Sequence, residues 1–441
     1  MQKLKKLTPS QILVSGYLTI IFIGTILLML PIATTQNDGL NLIDALFTAT
    51  SATCVTGLIV VNTSAAFTVF GKLVIMILIQ IGGLGIMSMS TLIAFILGKK
   101  ITLKERLVIQ EDLNQFEISG LVRLVKYVIG FTIIIEGTGA FLLFLKLIGN
   151  NTFIKALFFS VFHSVSAFNN AGFDLFGSSL ENFTGDFLMN FVVITLIILG
   201  GLGFGVLAEM SHTCKIKKTS LQTKIVIVMT IILLFFGFIT ILLLEFTNQD
   251  TMGNLPFGEK LLSAFFLSVT PRTAGFSTLP TGSLRSSTLF LVIVLMFIGA
   301  SPGSTGGGIK TTTFGVILIT LWNMITGKSD IEIYNRQLEK EVVFKSISII
   351  ILALGLVVFV TMILTVTENM EFLPVFFETV SAFGTVGLST GITPLLSKFG
   401  RLLIIITMFA GRLGPLTLAV AFAERKREGI YHFPKEKIMV G

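Results

Sequence analysis

The chain has 441 residues, of which 53% are hydrophobic and 13% charged, with a formal net charge of +8 and a mean hydropathy of +0.91. Charged residues normally make up about a quarter of a soluble chain, so a single water-soluble core is excluded and the protein is read as integral to a membrane. The only cysteines are Cys54 and Cys214, and the three histidines, His163, His212 and His432, are scattered, too few soft or imidazole ligands for a zinc or iron site.

The apolar runs are about twenty residues long. That length spans a hydrocarbon core of about 30 Å as a helix and exceeds the roughly ten residues of a barrel strand, so the expected class is all-α. The first run, 11–30, follows Lys3, Lys5 and Lys6 but is too long for the apolar core of a signal peptide, and is kept as a membrane helix. Seven more spans are expected at 73–97, 122–146, 187–209, 225–246, 288–322, 343–366 and 401–423, with four shorter, half-apolar segments between them. Lysine and arginine number 22 on the side of the N-terminus and 6 in the other connections, which places both termini in the cytoplasm. Cys54 and Cys214 then lie on opposite sides, where they cannot pair. Acids outnumber bases on the outer side, which attracts cations or simply forms a solvated rim.

The four shorter segments resemble one another. They read "ALFTATSATCVTGL" (45–58), "ALFFSVFHSVSAFNNAGF" (156–173), "LLSAFFLSVTPRTAGF" (261–276) and "VFFETVSAFGTVGL" (375–388). Each is a short aromatic-rich helix pattern leading through small and hydroxyl residues to one glycine and then Leu or Phe. Gly57, Gly172, Gly275 and Gly387 are 115, 103 and 112 residues apart, which divides the chain into four repeats at 1–105, 106–218, 219–328 and 329–441. Two crossings per repeat start every copy on the same side, so the copies are parallel and can surround one axis; inverted repeats need an odd number of crossings. A helix of eleven to fourteen residues at about 1.5 Å per residue reaches half way across and must re-enter by the outer face. Irregular backbone at that depth is tolerated only against protein or water. Four such loops would present carbonyl oxygens and helix C-termini, both partially negative, to a dehydrated monovalent cation. The alternative for any one copy is an interfacial helix with an ordinary C-cap glycine; four copies in register favour the pore.

These stretches, with "SPGSTGGGIKTTTF" and "GRLGPLT", resemble the Trk/Ktr/HKT superfamily of potassium transporters, and among them the KtrB-type membrane subunits of bacteria. The resemblance covers essentially the whole chain. It implies four repeats of helix, re-entrant loop and helix around one pseudo-four-fold pore, and potassium uptake across the bacterial cell membrane, often stimulated by sodium. It also implies a homodimer with one pore per protomer, gated by a separate KtrA/KtrC-like cytosolic ring of nucleotide-binding subunits, and no cofactor in this chain. The selectivity filter is then expected at Cys54, Val55, Thr56 and Gly57, at Asn169, Asn170, Ala171 and Gly172, at Arg272, Thr273, Ala274 and Gly275, and at Gly384, Thr385, Val386 and Gly387, with potassium at their backbone carbonyls. Glycine in all four loops goes, in that superfamily, with potassium selectivity. The longer TVGYG signature of tetrameric channels is missing, so fewer ordered carbonyl rings are expected.

The glycine-rich run inside the sixth span is expected to break that helix near mid-membrane and to form a flexible gate. The gate residues are Ser301, Pro302, Gly303, Ser304, Thr305, Gly306, Gly307 and Gly308, together with Lys310 and Arg412. Arg412, an intramembrane charge, is expected to contact this loop. Glu136 has no evident partner and is read first as structural. Lys310 either neutralises the pore or anchors the lower half-helix. Asn169 and Asn170 either line the filter or bond the loop from behind. The run is not a phosphate loop, because Ile309 intervenes before Lys310 and no magnesium-binding acid is apparent. No Ser/His/Lys or paired-aspartate constellation suits proteolysis, so no enzyme activity is expected.

Overall fold

The computed structural model describes residues 8–35, 39–85, 88–89, 103–112, 121–213, 218–328 and 330–422. The basic N-terminal cluster, Cys214, His432, the later part of the second expected span and the tail from 423 lie outside the described residues. Helices dominate; the only strands described are the antiparallel two-residue pair Glu332–Ile333 and Arg336–Gln337.

Four long apolar helices stand where spans were expected: Pro9–Met29, Leu121–Leu147, Leu221–Glu245 and Lys340–Thr367. Local chemistry sets their starts. Thr8 and Gln11 close a capping box on the first, and the Ser220 hydroxyl accepts from Thr223 N at 3.3 Å on the third. Their outer faces are bare apolar surface, as at Ile133, Phe235, Leu243 and Val366, the last 83% exposed, which suits contact with lipid.

The other expected spans are bent or broken. The 187–209 span is two helices, Phe187–Leu202 and Phe204–His212, meeting at 96°; the 401–423 span is Lys398–Leu413 and Pro415–Phe422, with a 94° bend. The hinges are Gly203 (φ 94°, ψ 137°) and Gly414 (φ 86°, ψ 136°), and Val69–Leu84 ends at Gly85 in the same conformation (φ 84°, ψ 141°). An L side chain is disfavoured there, so these glycines end their helices, and at Gly203 and Gly414 a second helix sets off at a sharp angle. The 288–322 span is Ser286–Phe297 and Thr311–Ile325 with an irregular loop between them, as expected.

Between long and bent helices sit the four short ones: Leu42–Thr53, Phe153–Phe168, Phe257–Val269 and Phe372–Gly384. The second has 16 residues, more than the fourteen anticipated. Leu42–Thr53 packs on Pro9–Met29, on Val69–Leu84 and on Lys398–Leu413 near the far end of the chain. Phe153–Phe168 packs on Leu121–Leu147, Phe187–Leu202 and Val69–Leu84. Each of the four thus touches a helix that precedes it in the chain, and the first also touches Lys398–Leu413. Their C-terminal halves are buried almost without exception.

Candidate functional site

The short helices all end in the same irregular backbone. Two residues before each glycine the chain turns left-handed, at Val55 (φ 57°), Asn170 (57°), Thr273 (69°) and Thr385 (49°). The glycines follow with φ of 89° at Gly57, 67° at Gly172, 73° at Gly275 and 91° at Gly387. Three of the four left-handed residues are β-branched, for which that region is a genuine outlier, and such strain persists only where surroundings over-determine it. Hydroxyls in the last helical turn supply part of that restraint. Ser51 donates to Leu58 O at 2.7 Å and accepts from Gly57 N at 3.1 Å; Ser166 donates to Phe173 O at 2.8 Å and Thr270 to Phe276 O at 2.5 Å; Ser381 accepts from Gly387 N at 3.1 Å.

The four glycines close on one another. A methyl group on Gly57 would lie 2.5 Å from the carbonyl oxygen of Ala171, and one on Gly172 would lie 3.0 Å from that of Ala274. On Gly275 it would strike the carbonyl of Val386, and on Gly387 that of Thr56, which returns to the first loop. The sequence-predicted residues Thr56, Ala171, Ala274 and Val386 are therefore brought together through their peptide groups, and no Cβ fits between neighbours.

The side chains flanking this ring diverge. Asn169 points behind the loop: its Nδ2 lies 3.0 Å from Gln80 Oε1, 2.9 Å from Glu136 Oε1 and 2.9 Å from Val165 O. Glu136 therefore has a partner that the sequence did not reveal, and the Asn169 amide ties its helix to Val69–Leu84 and Leu121–Leu147. The Asn170 amide lies 3.3 Å from the Thr273 hydroxyl. Cys54 is fully buried, and Arg272 is 6% exposed with its Nε and Nη2 unpaired. Gly384 lies beside the glycine-rich loop, 3.3 Å from a methyl placed on Gly308. Just past the second loop, Asp174 accepts from Gly177 N at 2.6 Å. Burial, and then the charge of Asp174, hold the nearby Glu181 carboxyl above its usual range.

The loop between Phe297 and Thr311 is an excursion with pinned ends. Gly299 N donates to Ile309 O at 2.8 Å, and Thr311 N to Ala300 O at 3.3 Å, so the helix resumes beside the point where it stopped. The segment between these ends is bonded to four helices and to the loop that follows Phe372–Gly384. Ser301 N and Thr305 N donate to Gly201 O (3.1 Å) and Gly200 O (3.2 Å), and Gly303 O accepts from Phe204 N at 2.8 Å. Gly308 N donates to Gly411 O at 3.2 Å. Thr305 Oγ1 donates to Phe168 O at 3.2 Å, and Gly307 N to Thr385 Oγ1 at 3.0 Å. Arg412 donates to Thr305 O, as expected of a contact with the loop, and also to Gly82 O and, at 3.3 Å, Gly83 O. Lys310 Nζ takes the next carbonyl, Gly306 O, at 2.7 Å, and its residue caps the Thr311–Ile325 helix.

The sequence reading overlooked Gly82, Gly200 and Gly411. A methyl on any of them would collide with a carbonyl at the end of a short helix, that of Thr53, Phe168 or Phe383. The signal was present as "GGLG", "GGLG" and "GRLG", a recurrence at the point where each second helix passes a short helix.

Comparison with known proteins agrees with this architecture. A family model described as "TrkH: Cation transport protein" matches residues 2–430. The chain is 45% identical over 436 residues to the Ktr system potassium uptake protein B of Bacillus subtilis, covering 99% of this chain and 97% of that one. It is 40% identical to the potassium/sodium uptake protein NtpJ of Enterococcus hirae, covering 99% and 98%. The crystal structure of the potassium transporter TrkH from Vibrio parahaemolyticus superposes with a TM-score of 0.73 at 19% identity, covering 96% of this chain and 86% of that one, which shows a shared fold. With a match across nearly its whole length and relatives this similar, the chain belongs to the TrkH family of cation transport proteins, multi-pass membrane transporters and not enzymes.

Proposed function

We propose that this chain takes up potassium across the bacterial cell membrane through a pore on its own axis, and that the ring of Gly57, Gly172, Gly275 and Gly387 is the filter. The single observation that carries the reading is the closure of that ring, in which each glycine lies against the peptide carbonyl preceding the next. Four strained loops ending four buried helices are a costly arrangement, and carbonyl oxygens in place of a hydration shell give it a purpose. The recurrent packing of the short helices supports four parallel repeats with boundaries at 1–105, 106–218, 219–328 and 329–441, and eight crossings in which three second helices turn aside at a glycine.

The segment from Ser301 to Thr312 is the gate, lying under the ring and held shut by Arg412 and Lys310. A separate cytosolic regulator moves it, because the connections are shorter than the roughly 100 residues of a nucleotide-binding domain. The names of the Ktr relatives, which describe a system, favour such a partner, and the chain pairs as a homodimer with both termini in the cytoplasm. Sodium acts as a stimulant, a role consistent with the potassium/sodium uptake named for the Enterococcus relative.

The experiment is cation flux into proteoliposomes containing the purified chain, with potassium and sodium compared under an applied voltage. Potassium flux exceeding sodium flux, and lost on adding Ser at the ring glycines, supports the reading. Selectivity unchanged by all four single Gly→Ser substitutions overturns the filter.

A further inference from the structure

The gate loop and the ring share groups, and the sharing is uneven among the four loops. The left-handed positions carry Val55, Asn170, Thr273 and Thr385, so hydroxyls stand only in the third and fourth. Those two hydroxyls meet the paired glycines of the loop. Gly307 N donates to Thr385 Oγ1 at 3.0 Å, and Gly306 packs so closely on Thr273 that a methyl there would overlap its Oγ1. Both contacts are fully buried, since Thr273 and Thr385 have no exposed surface. The loop is therefore seated on two residues that stand two positions from ring glycines, and not only on the helices around it.

A threonine hydroxyl is one donor and two lone pairs. In the structure a lone pair of Thr385 faces the positive end of the Gly307 N–H dipole. The same lone pair is suited to a dehydrated monovalent cation, for which hydroxyl and carbonyl oxygens are interchangeable ligands. The two cannot be satisfied together, because an N–H aimed at that oxygen repels a cation bound to it. Nearby, Lys310 and Arg412 add positive charge on the consecutive carbonyls of Gly306 and Thr305.

We propose that Thr385 is a shared ligand: its hydroxyl latches Gly307 while the loop is shut, and receives potassium from the glycine ring as the loop withdraws, so that the permeating ion competes with the gate. The inference rests on the reading of the glycine ring as a cation pathway. It makes the gate respond to the ion it controls. A regulator-driven opening would then be completed by potassium entering the site the loop vacates.

Amide hydrogen exchange in peptides spanning 301–312 tests this in the full chain reconstituted in liposomes, with potassium or N-methylglucamine as the only monovalent cation. In the wild-type protein potassium is expected to speed exchange at Gly307 several-fold. Thr385→Val keeps the shape, and Val55 shows that valine is accepted at the corresponding position with φ 57°. This variant should exchange rapidly in both media, lose the dependence on potassium, and pass about fivefold more potassium without a regulator, the shift expected from one lost hydrogen bond. Thr385→Ser, which keeps the hydroxyl, should behave as wild type. Exchange that ignores potassium in the wild-type protein overturns the latch, and does so even where the valine variant fails to fold. The pore reading is judged separately. A chain shortened within 303–308 that conducts potassium while wild-type exchange ignores it removes the latch alone, and selectivity unchanged by all four single Gly→Ser substitutions in the ring removes the pathway.

Discussion

The guanidinium of Arg412 holds the carbonyl of Thr305, a residue 107 positions earlier, and with its other nitrogen the carbonyls of Gly82 and Gly83, about 330 positions earlier. One side chain on the Lys398–Leu413 helix thereby ties the glycine-rich loop to the Val69–Leu84 helix. A planar fork can bridge carbonyls on two elements, whereas a lysine ammonium acts as a point charge.

Arg412→Ala should open the gate. Loss of even one charge-assisted bond, worth about 1.5–3 kcal/mol, predicts at least about tenfold more regulator-independent potassium flux in proteoliposomes. Arg412→Lys should fall between the two. Flux unchanged in a folded Arg412→Ala protein would remove the residue from the gate.

Shortening the loop by three or four residues between Gly303 and Gly308 cuts away Thr305, Gly306 and Gly307 and the contacts they make with Phe168, Thr273 and Thr385. Potassium flux should rise and its dependence on the regulator should fall. Unchanged or abolished flux in a well-folded shortened chain would leave the segment a static kink.

Ring substitutions should act on selectivity. Gly275→Ser and Gly387→Ser introduce a Cβ against the carbonyls of Val386 and Thr56 at a left-handed backbone. The neighbouring loop must move, so the potassium-to-sodium flux ratio is expected to fall several-fold. Competition flux with both ions present measures it.

Glycines in other roles should separate cleanly by stability. Gly200→Ala drives a methyl into the Phe168 carbonyl and should cost about 1–3 kcal/mol or more. Gly130→Ala and Gly355→Ala, in helix interiors where the added methyl meets nothing within 4 Å beyond its own helix backbone, should instead stabilise by about 0.5–1 kcal/mol. Thermal unfolding in detergent reads both signs.

Acid should weaken uptake at low potassium through the stretch just past the second loop. The Glu181 carboxyl is held above its ordinary range by burial and by Asp174. As pH falls it takes up a proton before an unperturbed carboxylate does, and its attraction for cations is lost first. The same sign means that its contribution to folding favours low pH and is lost as pH rises through the raised pKa, so Glu181→Gln should not lower neutral-pH stability. A pH profile of flux in which Glu181→Gln does not move the onset of acid inhibition would show that this carboxyl takes no part in drawing cations in.

Much of the architecture is local and was therefore open to sequence reasoning. Apolar runs of about twenty residues set the class because a helix of that length crosses the hydrocarbon core, and the spacing of Gly57, Gly172, Gly275 and Gly387 marked four loops that share the same left-handed turn. The broken sixth span was legible because proline and five glycines interrupt it. The bends at Gly203 and Gly414 were not, since one glycine in an apolar run also suits a straight helix packed closely on a neighbour. Which way Asn169 points, that Glu136 is its partner, and that Arg412 reaches Gly82 as well as Thr305 depended on residues 33 to 330 positions apart. Such contacts leave no periodicity in the chain. The closure of the ring is of the same kind: sequence placed a glycine in each loop, and only the packing of the first short helix on Lys398–Leu413 brought Gly387 back against Thr56.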